Sequence, residues 1–204
     1  MAAVMSSGVT PDDALNSLNR ILAAVRSAGS VGCLSCDLLG VVRPEVEQIL
    51  PEDAHLRCSG QATVCLSDVS RLPWRRPKTC FVDRWESRST LIDTVLQSSY
   101  IPFITSSVNP MGGGLVDGGL ANNFPLHPEA ARTVRISPFS GEIDICPASS
   151  QPQPRRVRLP AGISVDVSRH NASAALRAFV PSADMARLHV QGYDDACRWL
   201  RTAV

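Results

Sequence analysis

The chain has 204 residues, 44% of them hydrophobic, which suits one globular domain with a buried core. Its 20 Lys and Arg against 19 Asp and Glu leave a net charge of +1, so it has neither the basic excess of a nucleic-acid binder nor an acidic interaction tail. No run of about 18 apolar residues predicts a transmembrane helix, and no basic stretch ahead of an apolar core predicts a secretory leader, so the expected location is cytoplasmic with at most peripheral membrane contact. The seven cysteines are odd in number and irregularly spaced, which predicts reduced thiols.

In chain order, Thr10-Pro11-Asp12-Asp13 is a helix start: threonine caps, proline fits the first turn, and the acids face the positive end of the dipole. Ala14, Leu15, Leu18, Ile21, Leu22 and Val25 follow at helical spacing, with Gly29 as the stop. Pro44 opens a shorter predicted helix that ends at Pro51. Residues 62–66 and 79–82 read as strands, joined by a loop holding Pro73, Arg75, Arg76 and Pro77. Residues 90–98 read as a helix with Leu91, Ile92, Val95 and Leu96 inward. Leu115-Val116 is a short strand leading into Asp117, and residues 133–136 are another. Residues 149–160, rich in proline and arginine, read as a surface loop, and residues 162–167 as a strand. Pro181-Ser182 opens a final helix carrying Met185, Leu188, Val190, Tyr193, Trp199 and Leu200. Helices alternating with strands predict an α/β fold.

The chemistry-bearing signal is Asp117-Gly118-Gly119. An apolar run feeds one carboxylate into a turn where glycine permits close approach of other groups. By itself the tripeptide is also an ordinary turn. Four other segments accompany it: Leu50-Pro51-Glu52-Asp53-Ala54-His55, Ser98-Ser99-Tyr100-Ile101-Pro102-Phe103, the run from Ile136 to Pro147, and Gln191-Gly192-Tyr193-Asp194-Asp195. Together, in this order, they resemble the patatin-like phospholipase domain, in the branch of adipose triglyceride lipase and adiponutrin. The resemblance covers nearly the whole chain.

It implies a three-layer α/β fold, a central mostly parallel sheet flanked by helices, and a metal-free lipid acyl hydrolase that needs no cofactor. In that family the serine of Gly-x-Ser-x-Gly attacks an ester carbonyl, and the aspartate of Asp-Gly-Gly takes its proton directly. Asp117 matches the aspartate by motif, with Gly118 and Gly119 as its supporting turn. Such a base must be shielded, because burial raises a carboxyl pKa, and Leu115, Val116 and Phe124 are the candidate shields. No Gly-x-Ser-x-Gly occurs here: Val4-Met5-Ser6-Ser7-Gly8 keeps only a Ser-x-Gly half, and valine replaces the glycine that the strained elbow requires. The segment from Met1 to Met5 resembles the helix that follows the nucleophile. The expectation is therefore one partial domain spanning 1–204, the C-terminal two-thirds of the family fold, truncated ahead of its nucleophile and inactive alone. The implied partners are a glycerolipid or phospholipid and a lipid-droplet or membrane surface, with no nucleic acid. The alternative is a non-catalytic lipid-binding or regulatory short isoform.

Other constellations read as structural. Cys33-x-x-Cys36 lacks the second pair of a zinc site. His127, His170 and His189 would need an elbow serine to form a triad. Gly112-Gly113-Gly114 lacks the Lys-Ser/Thr of a phosphate loop and reads as a turn. Asn171-Ala172-Ser173 is a glycosylation sequon only in a secreted context. Arg155, Arg156 and Arg158 read as a solvated loop rather than a headgroup site. Asn122 and Asn123 are expected to orient the Asp117 turn, and Pro102 to shape the turn after the 90–98 helix.

Overall fold

The structure, a computed structural model, describes residues 3, 6–27, 37–126, 130–149, 151–158, 164–177 and 185–203. Gly29, Cys33, Cys36, His127, Gly162, Pro181, Ser182 and most of the Met1–Met5 segment lie outside these residues. The chain divides into two compact units, Met1–Asn122 and Asn123–Val204.

The first unit opens with helix α1 (Pro11–Ser27), where the Asp13 N–H donates to Thr10 Oγ1 at 3.2 Å, as the cap predicts. Helix α2 (Leu38–Ile49) begins earlier than the expected Pro44. Asp37 caps it by accepting the Gly40 N–H at 3.1 Å, and Pro44 sits inside it with no N–H to offer the preceding turn. The capping aspartate outweighs the proline signal there. α1 packs on α2, where the Arg20 Nε to Glu45 Oε2 contact is 2.8 Å. Helix α3 (Ala54–Cys58) follows. Helix α4 (Arg88–Gln97) starts at a capping box between Ser87 and Thr90 and buries Leu91, Ile92 and Leu96 as predicted.

Strands β1 (Val64–Asp68), β2 (Lys78–Val82) and β3 (Leu115–Asp117) form a sheet in the order β2-β1-β3. Both pairings are antiparallel: Val64 stands opposite Val82, and Leu66 opposite Asp117. The expected mostly parallel sheet is not what these strands form. β1 and β2 are joined only by residues 69–77, too few for the crossover that a parallel pair requires. The core beneath the sheet collects Leu66, Leu91, Ile92, Leu96, Trp85 and Val116, and burying one such side chain contributes about 1.5–3 kcal/mol. Ala3 and Cys58 join it, the Cys58 thiol donating to the Ala3 carbonyl at 3.3 Å. Burial pushes that thiol's pKa up, in keeping with a structural cysteine.

In the second unit, β4 (Arg156–Arg158) pairs antiparallel with β5 (Ser164–Asp166), so part of the expected 149–160 loop is a strand. Its charged residues hide the strand signal because Arg156 faces acids, reaching Asp166 at 3.1 Å and Glu142 at 2.5 Å. The predicted strand at 133–136 reduces to one bridge between Ile136 and Ile145. Val134 and Ile136 are exposed, so nothing drives a longer ladder, and the Arg135 N–H is taken by the Asp144 carboxylate at 2.9 Å. Helix α5 (Arg169–Arg177) lies within a stretch given no element by sequence, and α6 (Met185–Ala203) matches the expected final helix. Leu188, Val190, Tyr193 and Leu200 on α6 are exposed.

Candidate functional site

Asp117 ends β3 and caps the short 3-10 turn Gly118–Leu120 that follows it. Its Oδ1 accepts the Gly119 N–H at 2.7 Å, so the second glycine fixes the carboxylate rotamer through its backbone. A carboxylate has about four acceptor sites, and this bond uses one of them. The Asp117 N–H donates to the Tyr100 carbonyl at 2.9 Å, which pins the strand end to the segment after α4. Gly118 lies against β1: a methyl group there would overlap the Cys65 carbonyl. Absence of a side chain at 118 is therefore a packing requirement of the turn, not only a conformational preference.

Ser67 clamps the turn from below. This fully buried residue donates from Oγ to the Gly118 carbonyl at 3.1 Å and accepts the Ala121 N–H at 2.9 Å. Gln97, at the end of α4 and equally buried, does the same for the approach to β3. Its Nε2 donates to the Leu115 carbonyl at 2.6 Å, and its Oε1 accepts the Met111 N–H at 2.9 Å. Asn122 holds the far end of the turn through its backbone, donating to the Gly118 carbonyl at 2.9 Å. Gly112 and Gly113 adopt positive φ before the strand, as the predicted turn requires.

Asp117 is half-buried, and its carboxyl is raised above the ordinary carboxylate range. Burial is the cause, and it outweighs the opposing Gly119 hydrogen bond. A purely turn-forming aspartate is held low by such a bond. Val116, beside it in sequence, is buried, and Leu115 and Phe124 are half-buried. The neighbouring Cys65 thiol is also pushed up, first by burial, then by Cys80 and Asp117, so it stays protonated near the acid. The arrangement is a rigid, partly desolvated carboxylate, poised to accept a proton more strongly than an exposed aspartate.

Ser6 is half-buried in helical backbone just ahead of Gly8, which has φ 83°. His170 lies exposed on α5 and His189 exposed on α6, both in the second unit. Among the described residues, no cluster of three His, Cys, Asp or Glu is placed to hold a metal ion. Asn171 is turned inward: its amide donates to the carbonyls of Ser140 at 2.9 Å and Asp166 at 2.7 Å, so the sequon is a packing centre. Ser67 and Gln97 escape sequence reading. Their only local signal is a polar residue within an otherwise apolar strand or helix face.

No protein-family model matches the chain, and no solved structure does. Curated proteins do. Patatin-like phospholipase domain-containing protein 2 of Rattus norvegicus is 32% identical over 171 residues, 82% of this chain and 34% of that protein. Patatin-like phospholipase domain-containing protein 4 of Homo sapiens is 31% identical over 168 residues, 80% of this chain and 64% of that protein. The 1-acylglycerol-3-phosphate O-acyltransferase PNPLA3 of Homo sapiens is 29% identical over 200 residues, 95% of this chain and 40% of that protein. The chain thus spans about a third of the length of the first of these relatives. With such identity over four-fifths of its residues, and the Asp-Gly-Gly turn in place, the chain belongs to the patatin-like phospholipase domain family.

Proposed function

We propose that this chain carries the aspartate of a Ser–Asp dyad in a lipid acyl hydrolase, and that Asp117 is the proton acceptor. The observation that carries the reading is the Asp-Gly-Gly carboxylate itself, half-buried, raised in pKa and fixed by Gly119. In the reaction a serine oxygen attacks the ester carbonyl of a glycerolipid or phospholipid while Asp117 takes its proton. The protonated Asp117 then returns that proton to the departing alcohol. Water, deprotonated in turn by Asp117, cleaves the acyl-serine and releases the fatty acid. The relatives' names refer to phospholipase domains and to acyl transfer onto 1-acylglycerol-3-phosphate, which supports an acyl-lipid substrate.

The serine belongs to a Gly-x-Ser-x-Gly segment outside these 204 residues, none of which form that motif. They represent part of one patatin-like domain and are inactive alone, acting when joined to the nucleophile at a peripheral lipid-droplet or membrane surface in the cytoplasm. The test is hydrolysis of a short-chain p-nitrophenyl ester by the 204-residue protein and by the product of the complete transcript. The expected result is turnover by the second only. Turnover by the 204 residues, abolished by Asp117→Asn, would mean that an internal serine completes the pair. No turnover by either, with acyl lipid still bound, would support the non-catalytic lipid-binding reading instead.

A further inference from the structure

The loop between β1 and β2 has no part in holding Asp117, yet its composition is unlike that of the rest of the chain. From Ser70 to the first residue of β2 the chain reads Ser-Arg-Leu-Pro-Trp-Arg-Arg-Pro-Lys, with four cations and no acid. Residues 71–76 are all exposed. Trp74 is 89% exposed and Leu72 47%, so two large apolar side chains stand in solvent at the tip. Arg71, Arg75, Arg76 and Lys78 surround them, all exposed, and among the described residues none is in an ion pair. Asp68, at the base, acts electrostatically on Arg71 and Lys78, but its carboxylate is engaged by the Ser70 N–H at 2.9 Å.

The tip is held by its own backbone. Leu72 N–H donates to the Val69 carbonyl, and Arg75 N–H to the Arg71 carbonyl, each at 3.0 Å. The Val69 N–H donates to the Gly114 carbonyl at 2.7 Å, and Gly114 fits closely against Ser70. Gly114 immediately precedes β3, the strand that ends in Asp117.

We propose that residues 69–78 form a docking tip for an anionic lipid surface, with Leu72 and Trp74 entering the headgroup region and Arg71, Arg75, Arg76 and Lys78 pairing with lipid phosphates and carboxylates. Tryptophan has an apolar ring and a polar N–H, which is the side chain that an interface one end apolar and one end wet selects. Two apolar side chains hold a surface weakly and cations alone hold it reversibly, whereas the two together give stable anchoring. A polynucleotide fits less well: the chain as a whole is nearly neutral, and the tip offers one aromatic ring where a single-strand groove stacks successive bases on several. The choice of lipid over other anionic partners rests partly on the acyl hydrolase reading above.

The test is sedimentation of the protein with vesicles of pure phosphatidylcholine or of phosphatidylcholine and phosphatidylserine in equal parts. Wild type is compared with Trp74→Ala and with the double variant Arg75→Glu/Arg76→Glu, all at exposed positions, with circular dichroism to confirm folding. The expected result is preferential binding to the anionic vesicles that weakens with added salt. The charge-reversed variant should bind on the order of tenfold more weakly or worse, and Trp74→Ala several-fold more weakly. Equal binding of wild type to both vesicles, undiminished binding by the charge-reversed variant, or tighter binding to a single-stranded oligonucleotide or an acidic peptide than to the vesicles would overturn it. Binding is read without turnover. Loss of the hydrolase reading would leave the vesicle result standing, and failure on vesicles would leave the Asp117 assay untouched.

Discussion

Asp117 is held by a bond that favours its charged form and sits in surroundings that favour the neutral one, and burial prevails. A carboxyl raised on folding binds a proton more readily in the folded protein than in the unfolded chain. Its contribution is therefore destabilising once pH exceeds the folded pKa, and the penalty disappears as pH falls through that pKa toward the unfolded value. Asp117→Asn should accordingly match or exceed the wild-type melting temperature at neutral pH, and the difference should shrink on acidification below the raised pKa. A variant that loses stability relative to wild type as pH rises from acid to neutral would contradict the burial assignment. Ser67 is the second residue with a defined role. Ser67→Ala removes its bonds to the Gly118 carbonyl and the Ala121 N–H, which still pair within the turn, so it should cost about 0.5–1.5 kcal/mol in denaturant unfolding. Asp117 is legible in sequence as a candidate because the carboxylate and its two glycines are adjacent. The Ser67 role is not, because the serine reaches Gly118 across 51 positions and nothing local marks it.

At the level of elements, the turn and β1 act as one piece, since the Gly118 backbone is packed directly on Cys65. Gly118→Ala should push the turn off the strand and lower stability by about 1–3 kcal/mol, the range for overpacking a tight site. A melting temperature equal to wild type would show that the contact is not tight. In the second unit Asn171 plays the comparable part, tying the Ser140 segment to the end of β5. Asn171→Ala should cost about 1–3 kcal/mol, because it strands buried backbone groups of Ser140 and Asp166. Helices α1, α4 and α6 are readable from apolar spacing and caps. The early start of α2 is missed because Pro44 reads as a boundary while Asp37 supplies the true cap. Strand β4 is missed because its residues are exposed and charged, with Arg156 paired to Asp166 and Glu142.

For the molecule as a whole, Ala3 belongs to the core of the first unit, its carbonyl accepting the Cys58 thiol, and the Ser7 carbonyl accepts from Arg57. β2 and β3 are the outer strands of the sheet among the described residues. No helix of the described residues is long and apolar enough to cross a membrane. The family and the candidate acid are legible in the sequence because they rest on short, ordered motifs. The sheet arrangement is not, because strand direction depends on which distant segments meet. The measurement that bears most directly on Asp117 as the base is kcat/KM for a p-nitrophenyl ester, across pH, for the hydrolysing product of the complete transcript and its Asp117→Asn variant. If Asp117 is the base, the variant loses about 10²–10⁴-fold, and wild-type turnover falls on acidification through the raised carboxyl pKa. Turnover retained in the variant with an unchanged pH profile would contradict it.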